Sequence, residues 1–217
     1  MQEIIHINYQ RTLRTSAVGA TEYLASTLRI LRRIQSFSVE SWVKEVRDCL
    51  ESTRESKDGN LYEESTWKWW QIGSAYHEAV TLYCISSLVD HDGFLKAAAT
   101  DTKLASDLQD ILVLRQACHQ LLLNDLRDVA KEPTTHLRKL TLWPLFIAGI
   151  ESREETARSF ILSEIAWLAK AIGTASALEA KYFLQRRWRD QGLMLRQTMR
   201  PGQDWGSLFD RPYIFAF

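Results

Sequence analysis

The sequence predicts an all-α fold, a single irregular bundle of about eight helices with two long central ones. Turn-forming residues are sparse, with 9 glycines and 4 prolines in 217 residues, and no alternating strand pattern lies between them. Apolar residues instead recur at three- and four-residue spacing, the period of one helix face. Short polar breaks carrying Ser, Asp or Gly separate these runs.

Taken in order, residues 1–20 form an N-terminal segment. A first helix is expected over Thr21–Gln35, with Tyr23, Leu24, Leu28, Leu31 and Ile34 on its apolar stripe. Ser38 is placed to cap a second helix reaching Thr53, which turns Trp42, Val43, Val46 and Leu50 inward. Lys57-Asp58-Gly59-Asn60 reads as a turn. Ser65 then caps a long helix over Trp67–Val89, closed by the break Asp90-His91-Asp92-Gly93. The second long helix runs from Thr102 to Ala130. Thr134–Gly149 forms another, broken or kinked at Pro144, because proline lacks a backbone donor and crowds the preceding turn. Ser152 with Glu155, and Ser176 with Glu179, have capping-box spacing and predict helix starts at Arg153 and just after Ser176. Gly173 suits the C-terminal cap between them. Residues 200–217 form an aromatic tail expected to pack back on the body.

No composition shift divides the chain, so residues 1–217 read as one helical domain able to bury roughly 70% of its unfolded surface. Lys plus Arg and Asp plus Glu are 27 each. The chain therefore has no net basic field for nucleic acid, and the local patches Arg29-Arg32-Arg33 and Arg186-Arg187-Arg189 read as solvated helix faces. Cys49, Cys84 and Cys118 are odd in number and lack metal spacing, which predicts buried free thiols rather than disulfides or zinc. No apolar run reaches the ~18 residues of a membrane span, and the N-terminus lacks a signal-peptide layout, so no membrane contact and a cytoplasmic or nuclear location are expected.

No metal-protease, nucleophile-elbow or phosphate-loop motif occurs, and no cofactor or metal is expected. Asn124-Asp125-Leu126-Arg127-Asp128 loosely resembles an aspartate-rich metal-diphosphate motif. Arg127 stands among its carboxylates and no second motif follows, so it reads as a solvated polar stripe. The aromatic content carries more. Of eight tryptophans, Trp67, Trp69 and Trp70 cluster at the start of one long helix, where Trp69, Ile72, Tyr76, Val80 and Tyr83 share a stripe. Gly73, His77 and Cys84 line an adjacent strip of small residues, and Arg115 and His119 share a face of the next long helix with Leu122 and Leu126. Such a pattern permits an aromatic-lined pocket. Its ligand contacts would be Trp69, Trp70, Gly73, Tyr83, Arg115, His119 and Trp143, with Tyr76 and His77 as polar tips for a catalytic reading. The simpler reading of each is core packing.

Leu142-Trp143-Pro144-Leu145-Phe146-Ile147-Ala148-Gly149, followed by an acidic residue and a helix carrying Arg158, resembles a segment of the fungal-specific transcription factor domain. That domain is the C-terminal regulatory region of fungal zinc-cluster regulators. Ala75-Tyr76-His77-Glu78-Ala79-Val80-Thr81-Leu82-Tyr83 is similar to another of its helices, and the Trp188 helix and Asp204-Trp205 resemble its C-terminal end. The resemblance covers roughly Trp67–Phe217, more loosely Thr21–Thr53, and implies structural roles for Trp143, Pro144 and Gly149. It supplies no catalytic motif. The six-cysteine cluster of the family's regulators is absent here, so the expectation is a stand-alone protein derived from the domain, the more so because Met1 leads straight into domain-compatible sequence.

The resemblance implies a regulatory module that binds an apolar, secondary-metabolite type of small molecule and does not touch DNA directly. The alternative is a cofactor-free enzyme on the same scaffold, catalysing intramolecular cyclisation of a polyene or terpenoid, such as a [4+2] cycloaddition. There, positioning would lower the barrier and Tyr76 or His77 would polarise a carbonyl. A homodimer joined through an exposed apolar face is the third expectation.

Overall fold

In the computed structural model the described residues are 18–52, 61–88, 102–131 and 135–194. They form seven helices of ten residues or more and one short helical turn, with no strand among them. The helices are α1 (Val18–Gln35), α2 (Val39–Ser52), α3 (Leu61–Leu88), α4 (Thr102–Lys131), the single turn α5 (Thr135–Arg138), α6 (Leu142–Glu151), α7 (Glu155–Ile172) and α8 (Ala175–Met194). A 3-10 turn, Lys139–Thr141, joins α5 to α6. The two long helices are α3 and α4, and they share the most extensive helix–helix packing among the described residues. The expectations for Tyr23, Leu24, Lys57–Asn60, Asp90–Gly93 and the aromatic tail lie outside the described residues or their side chains.

Helix α3 is the axis. Every position from Thr81 to Leu88 is buried, so its last two turns have no solvated face. A helix apolar or small on all sides belongs inside a fold rather than on its rim. Helix α3 packs against α1, α2, α4 and α6. Helix α6 is the second interior element, with all positions from Leu142 to Ile150 buried. It contacts α3, α4, α7 and α8. Fully buried Leu82, Ile85, Leu122, Ile147, Ile161, Ile165 and Leu184 fill the seams between these helices. Each contributes about 1.5–3 kcal/mol relative to an exposed side chain.

Two predicted caps are present. The Ser41 amide donates to Ser38 Oγ at 3.1 Å, closing the first turn of α2. Gly173 ends α7 with φ of 69°, a left-handed conformation that favours glycine, and its amide donates to Ala169 O at 3.1 Å.

Four predicted boundaries are corrected. Ser65 lies inside α3, which starts at Leu61, and therefore does not cap it. The chain breaks at Lys139–Thr141 rather than at Pro144. Pro144 instead occupies the first turn of α6, where backbone amides have no intrahelical acceptor and its missing donor is harmless. Neither capping box forms at its predicted place. Ser152 caps the C-terminus of α6, α7 begins at Glu155 after Glu154, and Ser176 is the second residue of α8. The thiols also divide, because Cys84 and Cys118 are buried but Cys49 is exposed.

Candidate functional site

The nominated residues fall in separate clusters, and α6 organises two of them. At its N-terminal end, Trp143 packs between two tyrosines of α3. The Tyr76 ring stacks on it at 5.7 Å with 25° between planes, and Tyr83 meets it edge-on at 6.3 Å. These geometries suit the opposed charge of aromatic faces and edges. Tyr76 donates its hydroxyl to Leu140 O at 2.8 Å, tying α3 to the 3-10 turn that launches α6. Burial raises the phenol pKa of Tyr76 and of Tyr83.

The C-terminal end of α6 is where Arg115 and His119 converge. Arg115 makes a two-pronged ion pair with Glu151, Nε to Oε2 at 2.7 Å and Nη2 to Oε1 at 3.1 Å. Ser86 of α3 donates to Glu151 Oε1 at 2.5 Å, so one carboxylate joins α3, α4 and α6. One turn further along α4, His119 Nε2 lies 3.2 Å from both Ala148 O and Ser152 Oγ. Ser152 Oγ itself donates to Ala148 O at 2.7 Å, leaving its lone pairs to accept from the imidazole. Burial lowers the His119 pKa, which keeps the ring neutral with its proton on Nε2 as a donor. Trp188 Nε1 donates to Gly149 O at 2.9 Å, and Arg158 Nε donates to Ser152 O at 3.1 Å while its guanidinium lies over the Trp188 ring. The last carbonyls of a helix lack intrahelical donors. Here α4, α7 and α8 supply them.

Gly149 faces Leu184, where an added Cβ would come within 2.6 Å of Leu184 Cδ1. Glycine here lets α8 approach α6 closely. Gly73 does the same between α2 and α3. A Cβ there would lie 2.7 Å from Trp42 and 2.9 Å from Val39 Cγ1. Trp42 thus occupies the space over Gly73, and its ring meets Trp69 edge-on at 6.2 Å. Trp70 stands apart, stacked on exposed Trp67 at 5.2 Å.

His77 bridges helices as well. Its Nε2 lies 2.9 Å from Ile34 O in the last turn of α1, and its Nδ1 lies 3.2 Å from Glu78 Oε1. Both neighbours accept, so only the doubly protonated ring satisfies both. The Glu78 hydrogen bond raises the His77 pKa, with burial opposing it. Phe37 covers the ring at 6.2 Å. The folded pKa is raised above the ordinary 6.5, so the stabilisation is complete below pH 6.5 and is lost as pH rises through the folded value. His77→Phe is expected to lose about 1–2 kcal/mol at pH 6 and less at pH 9, read from urea midpoints at the two pH values.

Sequence reasoning missed a buried polar group between α3 and α4. Asp125 turns inward toward Ser74 and Glu78 instead of lying on a solvated stripe. Its Oδ2, like Glu78 Oε2, is buried without a hydrogen-bond partner among the described residues. Burial, then the charge of Glu78, raises the Asp125 pKa against the hydrogen bond from Ser74. The nearby Cys118 thiol is also pushed up, by burial and then by Glu78, and burial lifts Cys84 to about 12. Neither thiol is a nucleophile near neutral pH. An acid with a raised folded pKa subtracts stability as pH climbs above 3.8 and through the folded value. Asp125→Asn is therefore expected to stabilise the protein by about 1 kcal/mol at pH 7 and to do nothing below pH 3.5, by denaturant titration.

Glu151, Ser86, Ser152 and Trp188 were not nominated. The acidic residue closing the family-like segment was a usable signal for Glu151, whereas Ser152 was assigned to the wrong helix. Arg138, paired with Glu164 at 2.7 Å and lying over Trp167 at 3.8 Å, had no local signature. Among the described residues no group of three His, Cys, Asp or Glu side chains could hold a metal, and no described helix is long and apolar enough to cross a membrane.

The family model described as fungal specific transcription factor domain matches residues 2–214. The chain belongs to this family. As a member of the fungal specific transcription factor domain family it is similar to the phomenoic acid biosynthesis cluster-specific transcriptional regulator of Leptosphaeria maculans. The identity is 29% over 226 residues, covering 100% of this chain and 35% of that protein. The chain thus spans about a third of the length of the curated relative it matches. No solved structure matches it.

Proposed function

We propose that the chain is the regulatory domain of a transcriptional regulator of a biosynthetic gene cluster, acting without direct DNA contact and sensing an apolar metabolite of that pathway. The family match across nearly the whole chain carries this reading. The role of the relative supports the pathway setting, and a nuclear location follows from the same reading. Formal neutrality supports the absence of DNA contact, since phosphate binding needs a basic field. The aromatic seam of Trp143, Tyr76 and Tyr83 supports the apolar ligand. The seam joins the two interior helices, so a molecule wedged between its rings would act on α3 and α6 together.

No observation favours the cyclase reading. The Tyr76 hydroxyl is engaged by Leu140 O, and both nitrogens of His77 face acceptors of the fold, so neither is a donor waiting for a substrate carbonyl.

Titration with pathway metabolites, followed by tryptophan fluorescence and thermal unfolding, tests the proposal. A ligand at 100 times its Kd should stabilise the domain by about 2.7 kcal/mol. The effect should shrink in Trp143→Phe. Unchanged fluorescence and unfolding with every metabolite would overturn the ligand part of the reading.

A further inference from the structure

The arginines Arg186 and Arg189, set aside in the sequence as solvated, lie in line with two exposed apolar side chains. Leu178 is 45% exposed and Tyr182 is 67% exposed, both on α8. Leu178, Tyr182, Arg186 and Arg189 follow at spacings of 4, 4 and 3. At about 100° per residue this confines them to roughly 80° of the helix surface. The opposite side of α8 carries Ala177, Ala180, Leu184 and Trp188 into the core, which fixes the first four residues as the outer face. Both arginines are exposed. Glu179, at the other end of the same face, is exposed as well.

We propose that the outer face of α8 is a docking surface for an acidic amphipathic helix of a partner protein, lying antiparallel to α8. Leu178 and Tyr182 supply the apolar anchors, in the helix-on-helix mode read by residues four apart. Arg186 and Arg189 meet carboxylates near the N-terminus of the incoming helix, and Glu179 meets a basic residue near its C-terminus. That arrangement sets the partner's charges in accord with its own dipole and opposes the two helix dipoles. Aromatic and arginine side chains are the types that interfaces concentrate. The charge pattern selects an acidic ligand over a basic one, since like charges across an interface repel. The inference stands apart from metabolite sensing and does not depend on it.

The test uses the full chain and a fluorescently labelled synthetic helix of 16 residues. Its N-terminal half is Glu-rich, its apolar face is Leu and Phe at four-residue spacing, and a second peptide has every Glu replaced by Lys. Anisotropy should show saturable binding of the acidic peptide that weakens as salt is raised. The Lys peptide, and the variant Arg186→Glu/Arg189→Glu, should each bind at least about tenfold more weakly. Leu178→Ser/Tyr182→Ser should lose binding as well, with circular dichroism and Tm unchanged because all four positions are exposed. Equal binding of the two peptides, or binding indifferent to both variants, would overturn the proposal. So would a concentration-dependent mass abolished by the same substitutions, which would assign the face to a second copy. Acidic-peptide binding that appears only after residues 195–217 are removed would assign it to the chain's own tail.

Discussion

Arg115→Met is expected to destabilise the protein by about 3–5 kcal/mol, because it leaves the Glu151 carboxylate unpaired. The Glu151 side chain is 6% exposed and Arg115 is its cationic partner at 2.7 Å. Removing one member of a buried pair strands a charge, whereas replacing both with apolar groups of similar size removes the desolvation penalty along with the attraction. Arg115→Met/Glu151→Leu should therefore recover most of the loss. Ser86, which donates to Glu151 in the native fold, can turn its hydroxyl to the carbonyl one helical turn back. Urea titration of the two single variants and the double variant gives the coupling energy directly. A coupling of at least about 2 kcal/mol is predicted. Simple addition of the two single losses would show that the pair does not join α4 to α6.

Trp143→Ala is expected to lose about 3–5 kcal/mol, the range for truncating a buried tryptophan. Trp143 is 4% exposed and touches both Tyr76 and Tyr83, so the change opens a space at the junction of α3 and α6. Tyr76→Phe keeps the stacking and gives up only the hydrogen bond to Leu140 O, about 1 kcal/mol. The contrast separates packing from hydrogen bonding at one position of the seam. Near-equal losses in the two variants would mean that the ring of Trp143 is not what holds the helices together.

Local chemistry was legible in the sequence and tertiary convergence was not. Ser38 and Gly173 were found because a cap depends on a few consecutive residues. The same reasoning misplaced Ser152, whose spacing to Glu155 imitates a capping box although its hydroxyl serves the preceding helix. Periodicity marked α3 as a striped helix, yet the segment Thr81–Leu88 is buried on every side. A stripe disappears when neighbours cover all faces, and polar Thr81, Ser86 and Ser87 in that stretch disguise the burial. Asp125 was read as solvated because its chain neighbours Asn124 and Asp128 are; only the position of α3 decides that it faces Glu78. Arg115 and His119 were read as neighbours on one face of a long helix. Their shared target, the C-terminal end of α6, is set by a chain segment some thirty residues away. Gly73 was read as a place where a neighbouring helix or a ligand could approach, and it is Trp42 of α2 that packs there.

The most direct test of the regulatory reading joins the chain to a heterologous DNA-binding domain and measures transcription from a matching reporter. The assay is run with and without metabolites of the gene cluster. Output is expected to change several-fold when the pathway metabolite is supplied and to lose this response in Trp143→Phe. Output identical to that of the DNA-binding domain alone, with every metabolite, would contradict the regulatory reading.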